Sequence, residues 1–180
     1  MRQLRIGGVF SSGEFNETFG DGTEIELHFI EGITPRIGIA FALSSHDFGD
    51  SKDREKNISY TGLNRDVDLQ VYSITVAPLL MGAFGNDIRW TLEAGGGLYT
   101  VSAVIPTGIY EGTLTDNHLG VFGGAGMLYR ITERWLAVNL HAKYHYFFSG
   151  NEYRDTIWFY TGEERTAFYQ ITVGVMLFTG

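Results

Sequence analysis

The chain has 180 residues, of which 44% are hydrophobic and 19% charged, and it carries a net charge of −8; that length supports one core and sets the expectation of a single domain over residues 1–180. The acidic balance excludes nucleic acid as a partner, because no basic surface is left to neutralise phosphates. Cysteine is absent, which removes disulfides, thiolate zinc sites, thiol nucleophiles and redox pairs together.

Glycine (24), Phe (13) and Tyr (10) are abundant and Pro (3) is scarce, a balance suited to β-barrels and unusual in helical or α/β enzymes. No window of 18 consecutive apolar residues occurs, so no transmembrane helix is expected. Apolar and polar residues alternate instead, and no segment sustains a 3.6-residue period. Eight strands are predicted in chain order: Arg2 to Ser11, Thr23 to Ile30, Arg36 to Ser44, Val67 to Leu80, Ile88 to Ser102, His118 to Arg130, Trp135 to Phe148 and Thr166 to Phe178. The first begins inside "MRQLRIGGVF", which lacks the apolar stretch of a signal peptide; the expectation is a mature chain whose start Met was added for expression.

The connections alternate strictly in length. "SGEFNETFGDG", "SHDFGDSKDREKNISYTGLNRD", "AVIPTGIYEGTLTDN" and "SGNEYRDTIWFYTGEER" are long and polar, whereas "EGITP", "GAFGND" and "ITER" are short. In an up-and-down meander this gathers every long loop at one end and every tight turn, with both termini, at the other. The loop from Ser45 to Asp66 mixes acids and bases without the spacing of an EF-hand, and is expected to be solvated chain.

Each predicted strand has two faces. One carries Ile6, Phe10, Ile25, Leu27, Phe29, Ile37, Ile39, Phe41, Leu43, Leu92, Leu98, Val121, Met127, Leu140, Ile171, Val173 and Val175. The other carries Arg5, Glu24, Glu26, His28, Arg36, Arg89, Glu93, His118, Arg130, Asn139, His141, Lys143, His145, Gln170 and Thr172, together with Gly7, Gly38, Gly95, Gly97, Gly120, Gly124, Gly126 and Gly174. A water-facing strand surface gains nothing from Gly, which weakens strands and offers no side chain to pack. The inside of an eight-stranded barrel is only just wide enough for side chains, so large charged groups there need vacant neighbours. Glycine sharing a face with the charges therefore puts that face inside and the aliphatic face against lipid.

Aromatic residues gather at the ends of the aliphatic band: Trp90, Tyr129 and Trp135 by the short turns, and Tyr99, Tyr144, Tyr146, Phe147 and Phe148 toward the long loops, as two girdles flanking a bilayer would require. The strand from Val67 breaks parity, since Val67, Leu69 and Val71 share one face while Tyr72, Ile74 and Val76 share the other. A β-bulge between Val71 and Ser73 would restore the outer face and is expected there. A soluble lipocalin-like barrel is the rival, but it leaves the Gly-rich polar face unexplained, and the chain has no Gly-x-Trp start, Cys pair or C-terminal helix.

The segments "LEAGGGLY", "GVFGGAGMLYRITERWLAVNLHAKYHYFF" and "YQITVGVMLF" resemble the small outer-membrane β-barrel superfamily, the group of OmpA-type membrane domains and OmpX-like and OmpW-like proteins. The resemblance spans nearly the whole chain and is strongest in its second half. It implies an all-β, eight-stranded antiparallel up-and-down transmembrane barrel with a polar, Gly-rich interior, located in a bacterial outer membrane. The closing strand of the family usually ends in an aromatic residue; here Phe178 is followed by Thr179 and Gly180.

Arg5, Glu24, Glu26, Arg36, Arg89, Glu93, Arg130, His141, Lys143 and His145 are the candidate lumen network. Unpaired charges in a closed barrel are costly, so these should bond to one another and fill the interior. His141 and His145 lie about 13 Å apart along one strand, too far for one metal, and no cofactor or metal is expected. Lipid A deacylases use a Ser-His-acid set on a barrel wall, which draws attention to His145, Ser149, Asn151 and Glu152, but the compact His-x-Ser arrangement is missing and no enzyme activity is expected. The expected function is structural or surface-interactive, exerted by a monomer whose partners are outer-membrane lipid and lipopolysaccharide and an extracellular or envelope protein met through the long loops. An OmpW-like conduit for small hydrophobic molecules or ions and a lipid-modifying enzyme are the alternatives.

Overall fold

The computed structural model describes residues 2–11, 21–48, 68–106, 111–132, 136–148 and 165–177. They form eight strands: β1 (Arg2–Ser11), β2 (Gly22–Gly32), β3 (Ile37–Phe48), β4 (Asp68–Phe84), β5 (Ile88–Pro106), β6 (Glu111–Arg130), β7 (Leu136–Phe148) and β8 (Arg165–Leu177). Each pairs antiparallel with its sequence neighbour, and β1 pairs with β8 from Arg2↔Leu177 to Ser11↔Phe168, which closes the sheet into a barrel.

Closure divides the side chains by parity. Along β2 and β3, Glu24, Glu26, His28, Ala40, Ala42, Ser44 and His46 are buried, while the intervening Ile25, Leu27, Phe29, Ile39, Phe41 and Leu43 are exposed. The same alternation runs through β8, where Gln170 and Thr172 are inside and Ile171, Val173 and Val175 outside. Soluble monomers rarely present apolar patches beyond a few hundred Å²; here an aliphatic band encircles the barrel, with Ile6 at 58% and Val173 at 56% exposure. Its natural solvent is hydrocarbon.

Turn chemistry is local. In the β2–β3 turn the Thr34 hydroxyl accepts the backbone N–H groups of Arg36 (3.2 Å) and Ile37 (3.0 Å), and in the β6–β7 turn the Thr132 hydroxyl accepts the N–H of Leu136 (3.1 Å). Both belong to an Ile-Thr dipeptide, Ile33-Thr34 and Ile131-Thr132, so one side-chain device satisfies the turn backbone twice. Gly85, at φ 71°, opens the three-residue β4–β5 turn in the left-handed region that other residues resist.

Two expectations are corrected. No bulge interrupts β4: its pairing with β3 runs without a slip from Leu80↔Ile37 to Leu69↔Phe48. Leu69 and Val71 point inward and are fully buried, because the outer end of the lumen is apolar. The connection "AVIPTGIYEGTLTDN" is mostly ladder, since β5 and β6 stay paired up to Pro106↔Glu111. Above Leu119↔Phe148, β6 continues for eight residues, Glu111 to His118, without a β7 partner among the described residues.

Candidate functional site

The lumen is filled in layers. At the short-turn end Ile30, Ala40, Leu79, Leu128, Ala137 and Met176 form an apolar cluster with Met81 against it. The cavity between Ile30, Met81, Leu128 and Met176 is about 20 Å³, room for roughly one water. At the opposite end Phe48, Leu69, Val71, Val101 and Phe168 are buried, with the Phe48 and Phe168 rings edge to face at 5.4 Å. The polar residues are enclosed between these plugs.

In the middle, two carboxylates hold two cations. Glu26 accepts from Arg5 Nη1 at 2.8 Å and from Lys143 Nζ at 2.5 Å. Lys143 reaches Glu93 as well (3.2 Å) and lies 5.2 Å from the Phe122 ring centroid. Glu93 is flanked by His28 Nε2 at 3.3 Å and His141 Nε2 at 3.4 Å. All of these side chains are nine-tenths or more buried, where such contacts are far stronger than at a surface and an unpaired partner is costly.

Register explains how they meet. Arg5 lies directly opposite Glu26 in the β1–β2 ladder. Glu93, Gly124 and Lys143 form one row across β5, β6 and β7, and Thr91, Gly126 and His141 form another. A Cβ on Gly124 would stand 2.8 Å from both Lys143 Cγ and His141 Cε1. The glycine is the space through which Lys143 crosses β6 to reach Glu93, so the mixing of Gly with charge on one face has a direct steric cause.

Toward the outer end lies a second cluster. His145 stacks between Phe168 (centroids 4.6 Å, interplanar 12°) and Phe122 (5.7 Å, 21°). Its Nδ1 meets the Tyr99 hydroxyl at 2.9 Å and its Nε2 meets Gln170 Oε1 at 2.7 Å. Ser44 Oγ bridges Ser73 Oγ (2.5 Å) and His46 Nε2 (3.1 Å). Glu24 Oε1 is 3.9 Å from His46 Nδ1, and neither Glu24 oxygen has a hydrogen bond.

Seven of the ten candidate lumen residues thus lie in the filled interior: Arg5, Glu24, Glu26, Glu93, His141, Lys143 and His145. Arg36 does not; its side chain is exposed in the β2–β3 turn, immediately before β3 begins. Arg89 and Arg130 are half-buried at the short-turn rim and join no ion pair among the described residues. Of the girdle residues, Tyr129 and Tyr144 are exposed on the outer face, Tyr146 and Trp90 are half-buried, and Trp135 lies outside the described residues. Tyr99, expected in the outer girdle, is fully buried and bonded to His145. His145 therefore has both ring nitrogens engaged inside the lumen, turned from the lipid-facing wall; Ser149, Asn151 and Glu152 fall outside the described residues.

His28 and Gln170 lie on the face expected to be inward, though outside the expected charge network; His46, Ser44 and Ser73 were missed. His46 was legible once β3 is carried to Phe48, because it shares parity with Ala40, Ala42 and Ser44. On the outer wall a groove of about 610 Å³ runs between Phe84, Trp90, Leu92, Met127 and Leu140 over a floor that includes Ala125 and Ala142, and it is almost wholly apolar.

No family model matches the chain, and no curated protein matches it. Solved structures do. Neisserial surface protein A is similar with a TM-score of 0.65 at 13% identity, over 98% of this chain and 96% of that one. OprG from Pseudomonas aeruginosa is similar at 0.55 and 12% identity, over 99% and 96%. Ail, the attachment invasion locus protein of Yersinia pestis, solved with the heparin analogue sucrose octasulfate, is similar at 0.55 and 11% identity, over 98% and 97%. At such identities the likeness is one of fold: a closed, eight-stranded, all-antiparallel barrel, which the outer membrane protein OprG also adopts.

Proposed function

We propose that the chain is a closed outer-membrane barrel that works as an anchor, holding the β5–β6 hairpin and the long connections at the cell surface for interaction with a partner. The observation that carries this reading is the sealed lumen: a bonded charge layer lies between two apolar plugs. A conduit needs a continuous polar path, which the plugs oppose. Catalysis at the His145 rim is opposed by the burial of that imidazole. The membrane location rests on the aliphatic band and on the fold shared with outer-membrane proteins. The resulting partners are membrane lipid and lipopolysaccharide around the wall and an extracellular or envelope protein at the loops. With 21 acidic against 13 basic residues, the exterior favours a neutral or cationic surface over a sulfated one of the kind bound to Ail.

The test joins two measurements on the full chain. Vesicles containing the barrel should pass ions and small sugars no faster than protein-free vesicles. Cells displaying it should adhere to a host or envelope surface in a manner lost when residues 51–66 and 151–164 are shortened to tight turns. Flux through the vesicles, or adhesion indifferent to the loops, overturns the reading.

A further inference from the structure

The polar layer has an unequal count of charges. Among the described residues, three carboxyls, Glu24, Glu26 and Glu93, and two permanent cations, Arg5 and Lys143, lie between the plugs. Arg5 and Lys143 are consumed by Glu26 and Glu93. Glu24 remains, 1% exposed, with both oxygens unbonded and His46 Nδ1 3.9 Å away. A bare carboxylate sealed from water is among the most expensive groups a protein can hold, and such groups neutralise instead.

We infer that the Glu24–His46 pair is a binding site for one proton, which brings the sealed lumen to charge balance. The geometry supports the assignment on both sides. If His46 Nε2 donates to Ser44 Oγ at 3.1 Å, its Nδ1 is an acceptor facing Glu24, and an acceptor there needs a protonated carboxyl as donor. The ionisable groups that act on the pair are Arg5 from β1, Glu26 from β2, and Lys143 and His145 from β7; β5 contributes the buried Glu93 and Tyr99 and β6 the buried His118 to the same lumen, and the inward residues described on β4 and β8 are not ionisable. Placing the proton on His28 or His141 would add a cation beside Glu93, already paired with Lys143, and leave Glu24 bare.

Linkage fixes the consequence. The unfolded chain releases the Glu24 proton near the free value of about 4.3, so at neutral pH the folded barrel holds one proton more, and stability falls as pH rises. Buried histidines act in the opposite sense but only near their free value of about 6.5. The experiment therefore follows urea unfolding of the detergent-folded chain by tryptophan fluorescence from about pH 7.5 to 8.5, where the unfolding constant should rise several-fold per pH unit. Glu24→Gln should abolish that slope. Infrared spectra of the wild-type barrel at pH 7.5 should contain a protonated-carboxyl stretch that Glu24→Gln removes, and this band decides the matter in the wild type alone if the variant does not fold. A flat wild-type profile, a slope that survives in Glu24→Gln, a dependence on sodium or potassium in place of pH, or the absence of the carboxyl band overturns the assignment.

Discussion

Lys143→Met puts the largest strain on the interior for the smallest change in volume. Among the described residues, Lys143 is the one side chain that touches both central carboxylates, Glu26 at 2.5 Å and Glu93 at 3.2 Å. Removing one partner of a buried pair costs about 3–5 kcal/mol, because a charge is stranded. The two carboxylates are not left in the same condition. Glu26 keeps Arg5 at 2.8 Å, whereas Glu93 keeps only the imidazoles of His28 and His141, at 3.3 and 3.4 Å. Neutralising Glu93 in the Lys143→Met background should therefore recover most of the loss, and Glu26→Gln should recover little, since it strands Arg5 in turn. A double-mutant cycle from urea unfolding in detergent micelles, with heat-modifiable mobility on SDS gels as a second readout, measures both terms. A cost below about 1 kcal/mol for Lys143→Met, the size of a surface pair, would refute the claim that the network is sealed; equal rescue by Glu26→Gln and Glu93→Gln would refute the assignment of partners.

Other outcomes follow from the same geometry. Gly124→Val should destabilise the barrel by about 1–3 kcal/mol through overpacking against His141 and Lys143, while Gly123→Val, one residue away with nothing within 4 Å of its Cβ position, should fold normally; unfolding midpoints of the pair check this. Leu140→Arg, in the exposed band at 53% accessibility, should cost about 2–4 kcal/mol in a bilayer, read as a loss of folded yield in vesicles. Thr34→Ala removes the acceptor of two turn N–H groups and should lower stability by about 1 kcal/mol, seen as a shifted unfolding midpoint at unchanged mobility on SDS gels.

Parity made the wall legible from the sequence, because in β2, β3, β7 and β8 glycines or alanines share a face with polar or charged residues and the aliphatic residues hold the other. What escaped was set by tertiary placement. Arg36 has the parity of an inward residue, and its carbonyl still accepts the Met81 N–H at 2.8 Å, but it sits in the β2–β3 turn at the rim of the barrel, where its side chain is exposed. Tyr99 follows Leu98, which is 43% exposed, so alternation alone puts it inside; aromatic chemistry misdirects the assignment to a girdle. The apparent slip in β4 reflects a lumen that turns apolar toward its outer end, where Leu69 and Val71 bury as well as Ser73 and Thr75 do deeper down. Polar composition between Ala103 and Asn117 reads as a loop, yet the ladder continues, since a hairpin beyond the aliphatic band no longer needs an apolar face. Partner selection inside the network, such as Lys143 choosing Glu26 across 117 positions of sequence, depends on barrel closure and has no local signal.

The central claim is that the aliphatic face meets lipid and the glycine-and-charge face is sealed. The native chain has no cysteine, so single cysteines at Gln170, Ile171, Thr172 and Val173 can each carry a spin label in vesicles without background. Labels at 171 and 173 should collide with oxygen dissolved in the bilayer and be shielded from a water-soluble paramagnetic reagent, with 170 and 172 shielded from both, giving a period of two. Water-soluble collisions at 171 and 173, or a protein that keeps its fold and stays dispersed without detergent, would contradict the account.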